Sequence, residues 1–160
     1  MQELRAWLSR LSRLNNSVLD ARSADRSSTS SEDAVLGALL LAGPILNPSA
    51  LKTIVIQSPG GLTKTLLRLE RAGHVRRASD PADRRALLVE LTSSGRRAAK
   101  EATEAVDAYY EELLMDLDLA EREQLTCLVR KVLDKLESIS DMPSDPLVSA
   151  MLRPVGLQRR

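Results

Sequence analysis

The stretch Ser58-Pro59-Gly60-Gly61-Leu62-Thr63-Lys64-Thr65-Leu66-Leu67-Arg68-Leu69-Glu70-Arg71-Ala72-Gly73 carries its own start and stop signals. Ser58 is a favoured helix N-cap. Pro59 suits the first helical position, where no intrahelical acceptor waits for an N–H, and Gly73 suits the residue just past a helix. Leu62, Leu66 and Leu69 fall on one face, while Thr63, Lys64, Arg68 and Arg71 fall mostly on others. The spacing predicts one helix with a buried stripe and a basic exposed side.

Immediately afterwards the period changes. His74-Val75-Arg76-Arg77-Ala78 and Arg85-Ala86-Leu87-Leu88-Val89-Glu90-Leu91 read as two short strands, with Leu87, Val89 and Leu91 on a common face. The connector Ser79-Asp80-Pro81-Ala82-Asp83-Arg84 holds a proline in a favoured turn position and aspartates able to bond the local backbone. A basic helix is thus followed by a hairpin whose tip carries Arg84 and Arg85. Such a pair suits DNA, whose major groove admits a helix and whose neighbouring minor groove can take an arginine.

In order and spacing, four runs in residues 47–95 resemble the MarR family of bacterial winged-helix regulators. They are Ser-Pro-Gly-Gly-Leu-Thr from Ser58, Leu-x-Leu-Glu-x-x-Gly ending at Gly73, Asp80-Pro81-x-Asp83-Arg84-Arg85, and Leu91-Thr92-x-x-Gly95. Elsewhere only the helical layout is similar to the family. The resemblance implies a mostly α fold with a small β-hairpin, built as a winged helix-turn-helix plus a helical dimerisation region. It also implies a homodimer on a pseudo-palindromic operator, released by a small-molecule effector. That effector's pocket is expected between the first, second and fifth helices, with its residues unassigned. Asp83 and Arg85 match the family's Asp-x-Arg pair, in which the arginine enters the minor groove and the aspartate orients it. This makes Arg85 the first choice for insertion and Arg84 for phosphate, with exchange between the two left open. His74 stands where the family usually has an apolar residue, a departure expected to loosen the packing of helix on wing.

Composition narrows the alternatives. The chain has 160 residues, enough for one ordinary domain with a real core, and no Phe, so that core is aliphatic. One Cys allows no internal disulfide, and with a single His it makes no zinc set, so a reducing cytoplasm is expected. No apolar run is long enough to span a bilayer, and no export leader is expected. The net charge of +1 is uninformative, but its distribution is not. Residues 59–100 hold ten Lys or Arg against four acids, and residues 101–137 hold eleven acids against four bases. A basic block beside an acidic one fits a nucleic-acid face joined to a separate scaffold, and equally two solvated faces.

Along the rest of the chain, Leu4, Trp7, Leu8, Leu11, Leu14, Val18 and Leu19 recur at helical spacing in residues 2–21, more as packing groups than as a ligand box. A serine-rich link ends in Thr29 and Glu32, which have capping-box spacing. The helix that follows is apolar almost all round and should lie near the middle, ending at Gly43-Pro44. Asn47-Pro48 opens a third helix, with Leu51, Ile54 and Val55 inward and Lys52 outward as a possible phosphate contact or a plain solvated lysine. Thr92 caps a long helix over residues 93–116, and Asp118 with Glu121 caps a last one carrying Leu125, Leu128, Val129, Val132, Leu133 and Leu136. Cys127 among them reads as a small buried hydrophobe. It lies far from the first helix, where thiol-sensing relatives carry their reactive cysteine, so peroxide sensing is not expected. Residues 1–22 and 93–139 are assigned to dimerisation, 30–92 to DNA binding, and 140–160 to a tail that is irregular or docks on a partner.

The candidate contacts follow from these placements. Ser58, Gly60 and Gly61 open the helix, where free N–H groups and the dipole favour phosphate. The glycines permit close approach of DNA, or else they make a loose helix start. Thr63 and Lys64 sit where base edges are met, and Arg68 and Arg71 sit where phosphates are. Arg77, Asp83, Arg84 and Arg85 form the wing set. Leu4, Trp7, Leu8, Leu11, Leu125, Leu128, Val132 and Leu136 form the expected dimer interface, in line with the resemblance. The reading is therefore a ligand-responsive transcriptional regulator, of repressor type, with double-stranded DNA as partner. No cofactor, metal or membrane is expected, and the alternative is a helical protein-interaction adaptor on the same scaffold. With no phosphate loop, no HExxH and only His74 to serve a triad, no catalytic site is expected.

Overall fold

Why the middle of the chain is buried follows from one helix. A computed structural model describes residues 1–55, 57–79 and 87–140, in the order α1 (Gln2–Asp25), α2 (Ser30–Ala42), β1 (Ile45–Leu46), α3 (Pro48–Val55), α4 (Pro59–Arg71), β2 (Val75–Ser79), β3 (Leu87–Leu91), α5 (Ser93–Leu113) and α6 (Leu119–Ser140). Helix α2 has no polar face to give to water, and it is packed on by α1, α3, α4, α5 and β3. Val35 and Leu39 of α2 and Leu51 of α3 are wholly excluded from solvent. Thr29 and Glu32 close the expected capping box at its start, and Gly43 ends it.

The leucine stripe of α4 (Leu62, Leu66 and Leu69) joins this core with Val75, Val89, Leu91 and Ala99. Buried apolar area of this kind contributes roughly 25 cal/mol per Å² and is the main stabilising term. The α4 stripe was legible from spacing alone.

The sheet is larger than the hairpin expected from sequence. Besides the antiparallel pair β2–β3, with Val75 opposite Leu91 and Ser79 opposite Leu87, β1 pairs antiparallel with β3, giving the order β1-β3-β2. Two residues between Pro44 and Asn47 are too few for a periodicity signal, so this strand had no local signature. Pro44 cannot donate, yet its carbonyl accepts from the Leu91 N–H at 3.0 Å and extends the pairing.

A knot of hydrogen bonds joins α4, the sheet and α5. Gly73 has φ +72, the left-handed conformation that ends α4. Its carbonyl accepts from the Thr92 hydroxyl at 2.7 Å and from the Ser94 hydroxyl at 2.8 Å. The His74 carbonyl accepts from the Thr92 N–H at 3.0 Å, and Thr92 Oγ1 caps α5 by accepting from the Gly95 N–H at 3.0 Å. Gly95 lies so close that a Cβ there would stand 1.8 Å from the His74 carbonyl oxygen. The spacing Thr92-x-x-Gly95 is thereby explained. The His74 backbone is held on both sides, its N–H donating to the Leu69 carbonyl at 2.9 Å, although its buried Nδ1 has no hydrogen-bond partner among the described residues.

Gly95→Ala is expected to lower stability by at least about 2 kcal/mol, because backbone rather than a flexible side chain must move aside. Thermal unfolding followed by circular dichroism checks this; an unchanged midpoint would show that the junction spreads without strain.

Candidate nucleic-acid interface

Helix α4 presents two unlike sides. Leu62, Thr65, Leu66 and Leu69 are buried, whereas Thr63, Lys64, Leu67, Arg68 and Arg71 are exposed. Ser58 caps it as expected, its hydroxyl accepting from the Gly61 N–H at 3.1 Å. Both glycines of the first turn have ordinary backbone geometry, so space rather than φ distinguishes them. A Cβ on Gly61 would meet the capping Ser58 hydroxyl at 3.1 Å, while one on Gly60 would meet nothing within 4 Å. The chain's own packing therefore gives no reason for glycine at position 60. Lys64, Arg68 and Arg71 form no salt bridge with any described residue, and neither does exposed Lys52 on α3.

On the wing the charges are less available than the sequence count implied. Arg76 pairs across the sheet with Glu90 at 2.7 Å, and Arg77 reaches back to Glu70 of α4 at 3.3 Å. Two of the bases are thus balanced by two of the four acids in the same block. Ser58, Gly60, Gly61, Thr63, Lys64 and Arg68 come together on one helix, and Arg77 is tied to that helix from the strand beside it. The turn with Asp83, Arg84 and Arg85 lies outside the described residues, as does the tail after residue 140.

The order of elements and the exposed basic helix followed by a sheet agree with known regulators. No family model matches the chain. The transcriptional activatory protein BadR of Rhodopseudomonas palustris is 33% identical over 116 residues, which are 71% of this chain and 66% of that protein. The transcriptional regulator HosA of Escherichia coli is 35% identical over 91 residues, which are 57% of this chain and 67% of that protein. Among solved structures, a mutant of Escherichia coli MarR complexed with operator DNA superposes with a TM-score of 0.72 at 27% identity, covering 82% of this chain and 94% of that one. The chain belongs to the MarR family. It is a winged-helix protein of the transcription-regulator class, and no helix among its described residues is long and apolar enough to cross a membrane.

Against that family frame, two further features stand out. The first is apolar exposure on α1 and α6. Leu4, Trp7, Leu8, Leu11 and Leu14 of α1 lie open to solvent, as do Leu125, Leu128, Val129, Val132 and Leu136 of α6, with Trp7 59% exposed. The expectation that Cys127 is buried is wrong for the single chain. Cys127 is exposed, because α6 packs too little on its own chain to cover it. The second is a cavity of about 380 Å³ walled by α1, α2, α3 and α5, including Leu19, Ala38, Ile54 and Val106.

Sequence reasoning missed the polar lock at the α1–α2 corner. Asp33, 7% exposed, accepts from Arg26 at 2.5 Å and from the Ser23 hydroxyl at 2.6 Å. It also missed Asn15, which accepts from the Tyr109 hydroxyl at 2.9 Å and ties α1 to α5. Nothing local to Asp33 reveals its partners seven and ten residues away. Ser58→Ala is expected to cost about 1 kcal/mol through loss of the cap. The shift in the urea midpoint measures it, and no shift would show that the Gly61 N–H is equally well served by water.

Proposed function

We propose that the protein is a homodimeric transcriptional regulator that occupies a pseudo-palindromic operator with paired α4 helices and releases it when a small molecule binds. The observation that carries the reading is the exposed face of α4, on which Lys64, Arg68 and Arg71 have no acidic partner among the described residues. Thr63 and Lys64, in the first turns, are assigned to base edges, and Arg68, Arg71 and Lys52 to phosphates. Gly60 is assigned to close approach of the DNA backbone. At the wing, Arg85 is assigned to the minor groove and Arg84 to phosphate.

Residues 1–22 and 93–139 are assigned to pairing. Leu4, Trp7, Leu8 and Leu11 of α1, with Leu125, Leu128, Val132 and Leu136 of α6, are large apolar side chains each at least 40% exposed on the lone chain, as surfaces that a partner covers are. A pair joined through these helices would set two α4 helices one DNA turn apart, about 34 Å, for successive major grooves. Repression follows where the operator overlaps a promoter. In support, a MarR homologue has been crystallised on operator DNA.

On a palindromic DNA duplex the affinity should fall steeply with salt, by roughly 0.9 log units per log unit of salt for each phosphate neutralised. Arg68→Ala should weaken binding by about 1–3 kcal/mol and lower that slope without unfolding the protein. Fluorescence anisotropy across a salt series reads both. A flat response would favour the adaptor reading, in which the same scaffold binds a protein. Gly60→Ala gives a second check, expected to raise stability by up to about 1 kcal/mol while weakening DNA binding. Trp7→Glu with Leu128→Asp should leave a particle of the 17.6 kDa chain mass by light scattering, where the parent runs at twice that; a parent that is already monomeric refutes the paired arrangement.

A further inference from the structure

The cavity between α1, α2, α3 and α5 has a charge character that selects its ligand. We propose that it takes a lipophilic organic cation, a protonated amine on a compact apolar body, and turns away carboxylates. The inference rests on the regulator reading only for its effect on DNA. At about 380 Å³ the cavity falls within the range of small-molecule sites, and its wall is largely aliphatic, with Leu19, Ile54 and Val106 from three different helices.

Its polar groups are hydroxyls and carboxylates. No lysine, arginine or histidine is among its described lining residues, whereas Asp33 and Asp107 are. Asp33 is already balanced, held by Arg26 at 2.5 Å from outside the cavity. Asp107 is not. It is exposed on α5, lines the same space, and has no hydrogen bond or salt bridge with any described residue. A third acid, Asp20, hydrogen-bonds the Ser30 hydroxyl on the cavity wall.

These placements decide between ligand classes. A carboxylate seated here would lose water against an aliphatic wall, meet no cationic donor, and lie beside the unneutralised Asp107. A neutral body would gain burial alone. An ammonium group gains the same burial and gives Asp107 the charged hydrogen-bond partner that it lacks. Because Ile54 and Val55 of α3 line the same space as Thr103 and Val106 of α5, an occupant bears on the helix that precedes α4 as well as on the scaffold.

The test uses the full-length protein and a pair of probes with one shape and opposite charge, 2-naphthylmethylammonium and 2-naphthoate, titrated calorimetrically at low salt. The ammonium should bind about ten-fold more tightly or better. Asp107→Asn should bring the two within about three-fold, and Asp107→Lys should reverse their order, both without change in the melting temperature. Naphthoate binding as tightly as the amine, neither probe binding, or an unaltered preference in Asp107→Asn would each overturn the proposal. DNA affinity is read in the same samples. Asp107-dependent amine binding with DNA affinity unmoved upholds the cavity assignment and removes only the release step of the regulator reading.

Discussion

The carbonyl groups of Gly73 and His74 take hydrogen bonds from the Thr92 and Ser94 hydroxyls and from the Thr92 backbone. In doing so they join the end of α4, both wing strands and the start of α5 at a single point. Thr92 also caps α5, so one side chain both ends the wing and begins the long helix. Each such hydrogen bond contributes about 0.5–1.5 kcal/mol net, so the three together hold the junction. Gly95 completes the constraint by leaving room for the His74 carbonyl. The end of α4 is thereby tied to the start of α5 by short hydrogen bonds and a close backbone approach, in addition to the packing of Leu69 and Ala99 in the core. If α5 belongs to a pairing region, this junction fixes how the basic helix is presented.

Around that junction the molecule separates its charges and its apolar surfaces. The core is aliphatic and closes over α2, while α4 turns its bases outward. The wing bases Arg76 and Arg77 are matched to Glu90 and Glu70, which steadies the strand β2 against β3 and against α4. Such exposed pairs contribute little to stability. Their consequence is electrostatic, since unmatched positive charge among the described residues of this module is left chiefly to α3, α4 and the start of α5. The acidic part of the chain lies beyond, in α5 and α6. Net charge near zero thus conceals a basic DNA-facing candidate surface and an acidic scaffold.

The cavity beside α2 relates these parts. Its wall is shared by α1, α2, α3 and α5. Of the elements that wall it, α5 is also the one that the Gly73–Thr92 junction ties to α4 and the sheet. By linkage, a ligand shifts DNA affinity only as far as it binds one arrangement better than the other. Among the described lining residues Asp107 has no salt bridge and no base is present, so the proposed linkage would depend on the charge of the ligand.

The sequence by itself determined the elements whose signals are local. Ser58 and Gly73 bounded α4, the period of Leu62, Leu66 and Leu69 oriented it, and Thr29 with Glu32 opened α2 through a capping box that the structure contains. These succeed because caps and helical periodicity act within a few residues. What depended on partners distant in the chain was decided only by tertiary structure. The two-residue strand β1 exists because β3 lies beside it, and Arg77 is balanced because Glu70 stands opposite. Cys127 is exposed because α6 has little of its own chain to rest on, although its apolar neighbours read as core. The cavity and its two carboxylates, Asp33 and Asp107, likewise arise from four helices meeting, and a one-dimensional pattern carries no record of which side chains share a space.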